Sequence, residues 1–339
     1  MDDAKDLNLI LIVTTNEHRY THSSLHREHG LDHRVVTYDE ILKRRSPYRA
    51  THIFTDLDRL AASRVHEAAI LYRQLEQAGI KALNDPARVL GRFGLLRALS
   101  RAGINGFDIY RADALEMPRS WPVFLRVDGS HGAPVSGLLN NGEELAEAIE
   151  QAIAAGAPKA SLLIIEYAAE PERPGLYRKL SVFRVGDRLL GYTCVHDDHW
   201  LVKYGTAGIA PAELYEEEFS IVQTNPYAAA ILPAFEMAGI DYGRVDFGLV
   251  GGRPQVYEIN TNPYVNLSSA PKLNAIRNQS NALFRNNYLE AMAAIDMEPR
   301  PAWQARSAAL LRTAGFVGPR VRHKLAAAFS RTGKQDRPV

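Results

Sequence analysis

Arg244, Asp246, Glu258 and Asn260 carry side chains that together could hold a cation and a phosphoryl group. They lie on two runs rich in apolar and β-branched residues, 244–250 and 254–260, separated by Gly251-Gly252, which is the pattern of a β-hairpin. Side chains alternate along a strand, so Glu258 shares a face with Asn260, and Arg244 with Asp246. A three-residue loop, Gly251-Gly252-Arg253, would set Asp246 directly opposite Glu258. A two-residue Gly-Gly turn would pair Asp246 with Tyr257 and send Glu258 to the other face. The three-residue loop is expected, because such hairpins commonly place a glycine in the left-handed region. Two carboxylates on one half-buried face are costly unless a cation lies between them. All-oxygen donors without His or Cys favour a hard cation, and a small donor set favours Mg²⁺, which keeps waters and substrate phosphates. Arg244 is suited to a phosphoryl oxygen.

The order Arg-x-Asp, hairpin, Glu-Ile-Asn-Thr-x-Pro, here Arg244 to Pro263, resembles the magnesium-binding end of the ATP-grasp superfamily. The pattern is similar to that of D-alanine–D-alanine ligase, glutathione synthetase and the ribosomal-protein glutamate ligases. The resemblance is strongest over 240–266 and extends over about 85–290. It implies a mixed α/β and α+β chain: an ATP-grasp fold of two α+β subdomains gripping ATP, behind a small Rossmann-like α/β domain. It also implies ATP-dependent joining of a small-molecule carboxylate to an amine through an acyl-phosphate. In that reading Asp246, Glu258 and Asn260 match the Mg²⁺ ligands, with two ions expected and Mn²⁺ as a substitute. Arg244 matches the arginine that steadies the transferring group.

Other positions follow from the same resemblance. Arg92 and Arg126 stand where the family has its two nucleotide lysines; arginine also binds phosphate, in a bidentate fashion. Strand 122–126 runs into Gly129, Ser130, His131 and Gly132, which match a flap whose backbone N–H groups cover phosphates. Glu166, Tyr167 and Ala168 match the hinge that meets the adenine edge, and Glu170 and Glu172 are ribose candidates. Asn262 and Asn266, in a segment that helps form the acceptor pocket in relatives, are substrate candidates; Arg178 is another, and Lys203 is one if the polar loop 196–203 is a substrate loop and not merely an exposed one. Some members of the superfamily phosphorylate an alcohol instead, and a nucleotide-binding protein without turnover is a third reading, motivated by the two arginines.

The elements that must position these residues read as follows. Leu9–Val13 is a continuous apolar run typical of a buried parallel strand, with further strands at 34–38 and 51–55 and a helix at 61–78. Strands alternating with helices predict a small doubly wound unit over 1–85. A helix is predicted over Ala87–Ala102 and another over 141–155, capped by Asn141. Strand 161–168 follows, and then a hairpin of 176–185 and 188–195 around Gly186-Asp187, with Arg178 and Lys179 on opposite faces. Helix 228–239 leads into the metal hairpin. The expected segments are 1–85, 86–165 (with the phosphate loop), 166–298 (with the metal hairpin) and a basic helical tail, 299–339.

His18, His22, His26, His29 and His33 recur at helical spacing, which suits a transition-metal site, a basic face for an anionic substrate, or a solvated polar face. Arg19, Arg27 and Glu28 interleave with them, and Gly30 is expected to end the helix.

The 339 residues are enough for two or three domains, and 40 Lys and Arg against 39 Asp and Glu leave a net charge of +1. That balance provides no overall steering toward nucleic acid or membrane. The tail beyond Pro299 is basic, and membrane attachment through it is a minority alternative to packing on the body. Cys194 is the one cysteine, so no intramolecular disulfide can form. The Met-Asp-Asp start lacks a basic n-region, and the early apolar run is too short to span a bilayer, so a cytoplasmic protein is expected. A homodimer is the default assembly for such an enzyme.

Overall fold

The computed structural model describes residues 10–25, 31–44, 46–114, 116–130, 132–265, 267 and 274–295. The 299–339 tail, His26, His29, His131 and Asn266 lie outside them. The chain divides into two units, one of 1–89, 261–266 and 289–339, the other of 90–260 and 267–288.

In the smaller unit, strand β1 (Ile10–Thr14) is buried at all five positions, as a run of branched apolar side chains requires. It lies between β2 (His33–Thr37) and β3 (Thr51–Phe54), and β4 (Ala82–Leu83) completes a parallel sheet of order β2-β1-β3-β4. Helices α1 (Tyr38–Leu42) and α2 (Ala62–Gln77) pack Ile41, Leu42, Leu71 and Leu75 against it. Thr37 starts α1 with a capping box, its hydroxyl accepting from Glu40 N while the Glu40 carboxylate accepts from Thr37 N.

The histidine series does not form one helical face. A 3₁₀ helix over Asn16–His22 is broken at His18 (φ −115°, ψ 19°), and His33 belongs to β2. His22 is 1% exposed; burial, with His33 nearby, holds its pKa down at about 3. Among the described residues no group of three or more His, Cys, Asp or Glu is arranged to hold a metal.

The larger unit opens with α3 (Arg92–Arg101), which begins later than the predicted Ala87. Its N-cap, Gly91, is extended (φ −70°, ψ 173°), so the helix can start only at Arg92. The antiparallel strands β5 (Ile109–Arg111), β6 (Val123–Val127) and β7 (Leu162–Glu166) form a three-stranded sheet in the order β5-β7-β6. Helix α4 (Gly142–Ala154) covers it with Leu145 and Ala152, and the Asn141 side chain accepts from Glu143 N and Glu144 N at its start.

A second sheet of six strands follows: β8 (Pro171–Arg173), β9 (Leu176–Val185), β10 (Arg188–Gly191), β11 (Val195–Asp197), β12 (Tyr242–Val250) and β13 (Arg253–Asn260). Its main path is β10-β9-β12-β13, with β8 and β11 pairing the first half of β9. The expected single strand 188–195 is thus two strands: β10 ends at Gly191, and β11 resumes with the register shifted by one. Gly191 lies against α5 (Ala212–Thr224), where an added Cβ would stand 2.2 Å from the Ile221 carbonyl oxygen. Helix α6 (Ala228–Ala238) closes at Gly239 in the left-handed region (φ 66°). Helix α7 (Ala275–Ile295) brings Phe284 to 5.1 Å from the Phe183 ring, and the Tyr288 and Tyr242 hydroxyls bond at 2.7 Å.

The hairpin turn corrects the sequence reading. Val250 pairs with Arg253, so the loop has two residues, and Gly251 (φ 55°) and Gly252 (φ 74°) are both left-handed, as a type I′ turn demands. The pair Asp246↔Glu258 is nevertheless formed, because a bulge at Tyr257 separates it from Phe247↔Val256.

Candidate functional site: a charged cleft over the β9, β12 and β13 sheet

On the cleft face of the larger unit, Arg244 pairs with Asn260 and Asp246 with Glu258 across β12 and β13. On the other side of β12, Asp246 lies opposite Ser181 of β9. Period two then places Lys179 diagonally next to Asp246, on the same face.

Asp246, 2% exposed, is fully engaged. Its Oδ1 accepts from Ser181 Oγ at 3.0 Å and from Arg244 Nε at 2.8 Å. Its Oδ2 accepts from Arg244 NH2 at 3.2 Å and faces the Lys179 ammonium at 3.1 Å. Burial alone would raise this carboxyl; Arg244 and Lys179 outweigh it and bring the pKa down to about 2. In Glu258, burial and Asp246 oppose ionisation, and Arg92, bonded to Oε2, with Arg126 overcomes them, so its pKa is also lowered.

Arg92 opens α3, and its NH1 donates to the Ser130 carbonyl at 2.9 Å. Arg126, near the end of β6, donates through NH2 to the Gly132 carbonyl at 2.9 Å. Both guanidiniums thus donate to backbone carbonyls after β6, at Ser130 and Gly132; Gly129 is left-handed (φ 71°), and Ser130 Oγ accepts from Gly132 N at 3.1 Å. Burial, with Arg92 close by, pulls Arg126 below the usual arginine range, and its buried Nε has no hydrogen-bond partner among the described residues. Two guanidiniums close together, one with an unmet N–H, offer chemistry suited to an anion.

The other end of the cleft is aromatic. The Trp200 ring lies 5.1 Å from Phe124 and 5.7 Å, edge-on, from Tyr167, and Tyr257 donates to the Ala168 carbonyl at 2.9 Å. Tyr167 N is committed to the Pro122 carbonyl. The Glu166 carboxylate turns inward instead, accepting from Asp108 N and Tyr110 Oη at 2.8 Å, Arg119 N at 2.7 Å and Ser120 N at 3.1 Å. The Glu166 carboxylate is thus turned away from a ligand, and its N–H donates to the Asp108 carbonyl at 3.1 Å.

Of the remaining predicted residues, Arg178 and Lys203 line the same cleft and Asn262 does not. Arg178 is held by Glu172 at 2.8 Å and Glu217 at 2.7 Å, so Glu172 is spent on an ion pair, and Glu170 accepts from Gly251 N. Lys203 is exposed at the cleft margin, its carbonyl accepting from Lys179 Nζ at 3.2 Å. Asn262 belongs to the smaller unit, buried, bonded to Thr14 and Thr21.

Sequence reasoning missed Lys179, Trp200, Phe124 and Tyr257. For Phe124 a signal existed: alternation along β6 puts it on the face of Arg126. For Lys179 the alternation identified two faces, and nothing local said which one met the carboxylates. The smaller unit holds an unforeseen cluster at the carboxyl ends of β1 and β3. There Asp56 (φ 61°) bonds His18 Nδ1 at 2.9 Å and Arg59 Nε at 3.0 Å.

A small antiparallel sheet with its helix, facing a larger sheet whose hairpin carries opposed carboxylates, defines the ATP-grasp fold, and this chain has it. It is similar to the ATP-complexed D-alanine–D-alanine ligase of Bacillus anthracis, with a TM-score of 0.50 and 13% identity over 88% of this chain and 99% of that one. A RimK-domain ATP-grasp protein from Sphaerobacter thermophilus gives a TM-score of 0.47 and 14% identity, covering 84% of this chain and 98% of that one. A D-cycloserine synthetase gives 0.47 and 16% identity, covering 84% and 99%. No protein-family model and no curated protein matches the sequence. Among the described residues no helix is long and apolar enough to cross a membrane.

Proposed function

We propose that this chain is an ATP-dependent ligase that joins a small-molecule carboxylate to an amine through an acyl-phosphate. One observation carries the reading: a single cleft has aromatic rings at one end and, at the other, Arg92, Arg126 and Lys179 around the opposed carboxylates Asp246 and Glu258. A nucleotide has that polarity, an aromatic base joined to a polyanion, and the aromatic end suits stacking on Trp200 or Tyr167.

The donor types fit Mg²⁺ in kind, the Glu258 carboxylate and the Asn260 amide oxygen, with the Asp246 carboxylate beside them and no nitrogen or sulfur ligand. When bound, the ion neutralises charge on the phosphates during transfer. Arg92 and Arg126 would release loop carbonyls to take phosphate oxygens. Arg244 uses Nε and NH2 on Asp246, which leaves NH1 to bear on the transferring group and the tetrahedral adduct.

Coupled ADP release with Mg·ATP, over a panel of amino acids, dipeptides and small carboxylates, tests this. ADP that requires both an acid and an amine, and is lost in Glu258→Gln, is the expected result. A phosphorylated alcohol with no amine dependence would replace the ligase by a kinase. ATP bound by calorimetry without ADP under any mixture would make the chain a nucleotide-binding protein without turnover, and no binding at all would end the reading.

A further inference from the structure

Every hydrogen-bonding direction of the Asp246 carboxylate is occupied by this chain's own atoms. Ser181 Oγ and Arg244 Nε take Oδ1, and Arg244 NH2 and Lys179 Nζ take Oδ2. Glu258 differs: its Oε2 carries Arg92, its side chain is 28% exposed, and no hydrogen bond to its Oε1 is formed among the described residues. The two carboxylates of the pair are thus unequal toward an incoming cation.

The cations on Asp246 are also unequal. Arg244 makes a two-pronged contact from the neighbouring position on the same strand and is 20% exposed. Lys179 reaches across from β9, and its position is doubly set, by Asp246 at 3.1 Å and by the Lys203 carbonyl at 3.2 Å. An ammonium is a compact point charge with three donors, the closest side-chain equivalent of a hydrated cation. It sits on a carboxylate oxygen at the floor of the same cleft that Arg92 and Arg126 enter. Two negative charges here meet three directly paired positive ones, so a first divalent ion already has its charge opposed unless a polyphosphate arrives with it.

We propose that Lys179 is a built-in counter-cation that takes the place of one of two metal ions, so that the cleft binds a single divalent ion per nucleotide, through Glu258 and Asn260. This rests on the nucleotide reading above and goes beyond it, since it sets the metal stoichiometry and assigns it to one residue of β9. Lys179 would then stand beside Arg92 and Arg126 as a third fixed positive charge facing the phosphates, present whether or not metal is bound. A second consequence is that metal binding depends on nucleotide, because the carboxylates are already countered without it.

The test counts Mn²⁺ by electron paramagnetic resonance on the full chain saturated with a non-hydrolysable ATP analogue, adenylyl imidodiphosphate. Calorimetry of the analogue without metal runs in parallel. One Mn²⁺ per wild-type chain, two in Lys179→Met, and one again in Lys179→Arg is the expected pattern. Without the analogue, wild type should bind Mn²⁺ at least tenfold more weakly. Two Mn²⁺ in wild type would overturn the proposal whatever the variants do, including a variant that fails to fold. One in all three proteins would equally overturn it, since Lys179 would then not set the count. Absence of analogue binding in wild type, with or without Mn²⁺, would remove the nucleotide reading itself and this inference with it.

Discussion

Asp246 and Glu258 stand directly opposite each other because Tyr257 is bulged out between Glu258 and Val256. With the two-residue glycine turn and an unbroken ladder, Tyr257 would have been the partner of Asp246. The displaced side chain is also put to use, its hydroxyl reaching the Ala168 carbonyl at 2.9 Å and so tying the hairpin to the hinge. Opposed carboxylates and a fixed hinge therefore share one cause.

Gly248 makes that arrangement possible and supplies a test. A Cβ there would lie 2.1 Å from the Tyr257 hydroxyl and 2.9 Å from its Cζ, so Gly248→Ala must displace a stiff ring. Tyr257→Phe should cost about 1 kcal/mol for the lost hydrogen bond, and Gly248→Ala about 2 to 3 kcal/mol. The double variant should cost less than the sum, because removing the hydroxyl relieves part of the overlap. Urea unfolding of the four proteins checks this; strict additivity would mean the ring does not sit against Gly248.

Gly191→Ala should be among the most damaging single-methyl additions in the chain. The new Cβ would meet the Ile221 carbonyl oxygen at 2.2 Å and the Val222 Cα at 3.1 Å, backbone atoms that cannot rotate away. A loss of about 3 kcal/mol is expected, by thermal or urea unfolding, as α5 is pushed from the sheet. A loss below about 0.5 kcal/mol would show that helix and sheet separate freely there.

Glu166 holds four donors on one carboxylate while 4% exposed. Burial raises its pKa and those bonds more than reverse the effect, so it stays ionised. Glu166→Gln places an NH₂ group against N–H donors and should destabilise by about 3 kcal/mol. Since the hinge is anchored by this carboxylate, nucleotide affinity should fall with stability, whereas Glu172→Gln, which breaks only an ion pair with Arg178, should leave stability within about 1 kcal/mol. Equal losses in the two variants would contradict this assignment.

Acid should destabilise the fold well before its carboxylates titrate. Burial holds His22 at about 3, and His52 and His196 at about 4, all below the usual histidine value of 6.5. The unfolded chain takes up these protons first, so the contribution is complete above about pH 6.5 and is lost as pH falls toward 4. Near pH 5 three such groups give a slope of about 4 kcal/mol per pH unit at most. His52→Asn, which keeps a donor toward the Ala50 carbonyl, should flatten the slope by about a third. A stability that is level from pH 7 to 4.5 would show these rings to be accessible to protons.

What the sequence by itself determined were the features with a short physical range. The apolar run of β1, the Asn141 cap, a hairpin turning at Gly251-Gly252, and the spacing that lays Arg244 with Asp246 and Glu258 with Asn260 all depend on a few neighbouring residues. The donor chemistry of the site was legible for the same reason, because side-chain type and strand period are enough to propose it. Tertiary structure alone decided the bulge at Tyr257, the start of α3 at Arg92, the split of the expected strand at Gly191 and the dispersal of the histidines. It also decided which cation meets which acid. Lys179 and Asp246 are far apart in sequence, and alternation along β9 allows either Arg178 or Lys179 to meet Asp246. The choice falls to Lys179 because the β9–β12 register sets Ser181 against Asp246, and a register between distant strands is settled by how whole faces pack.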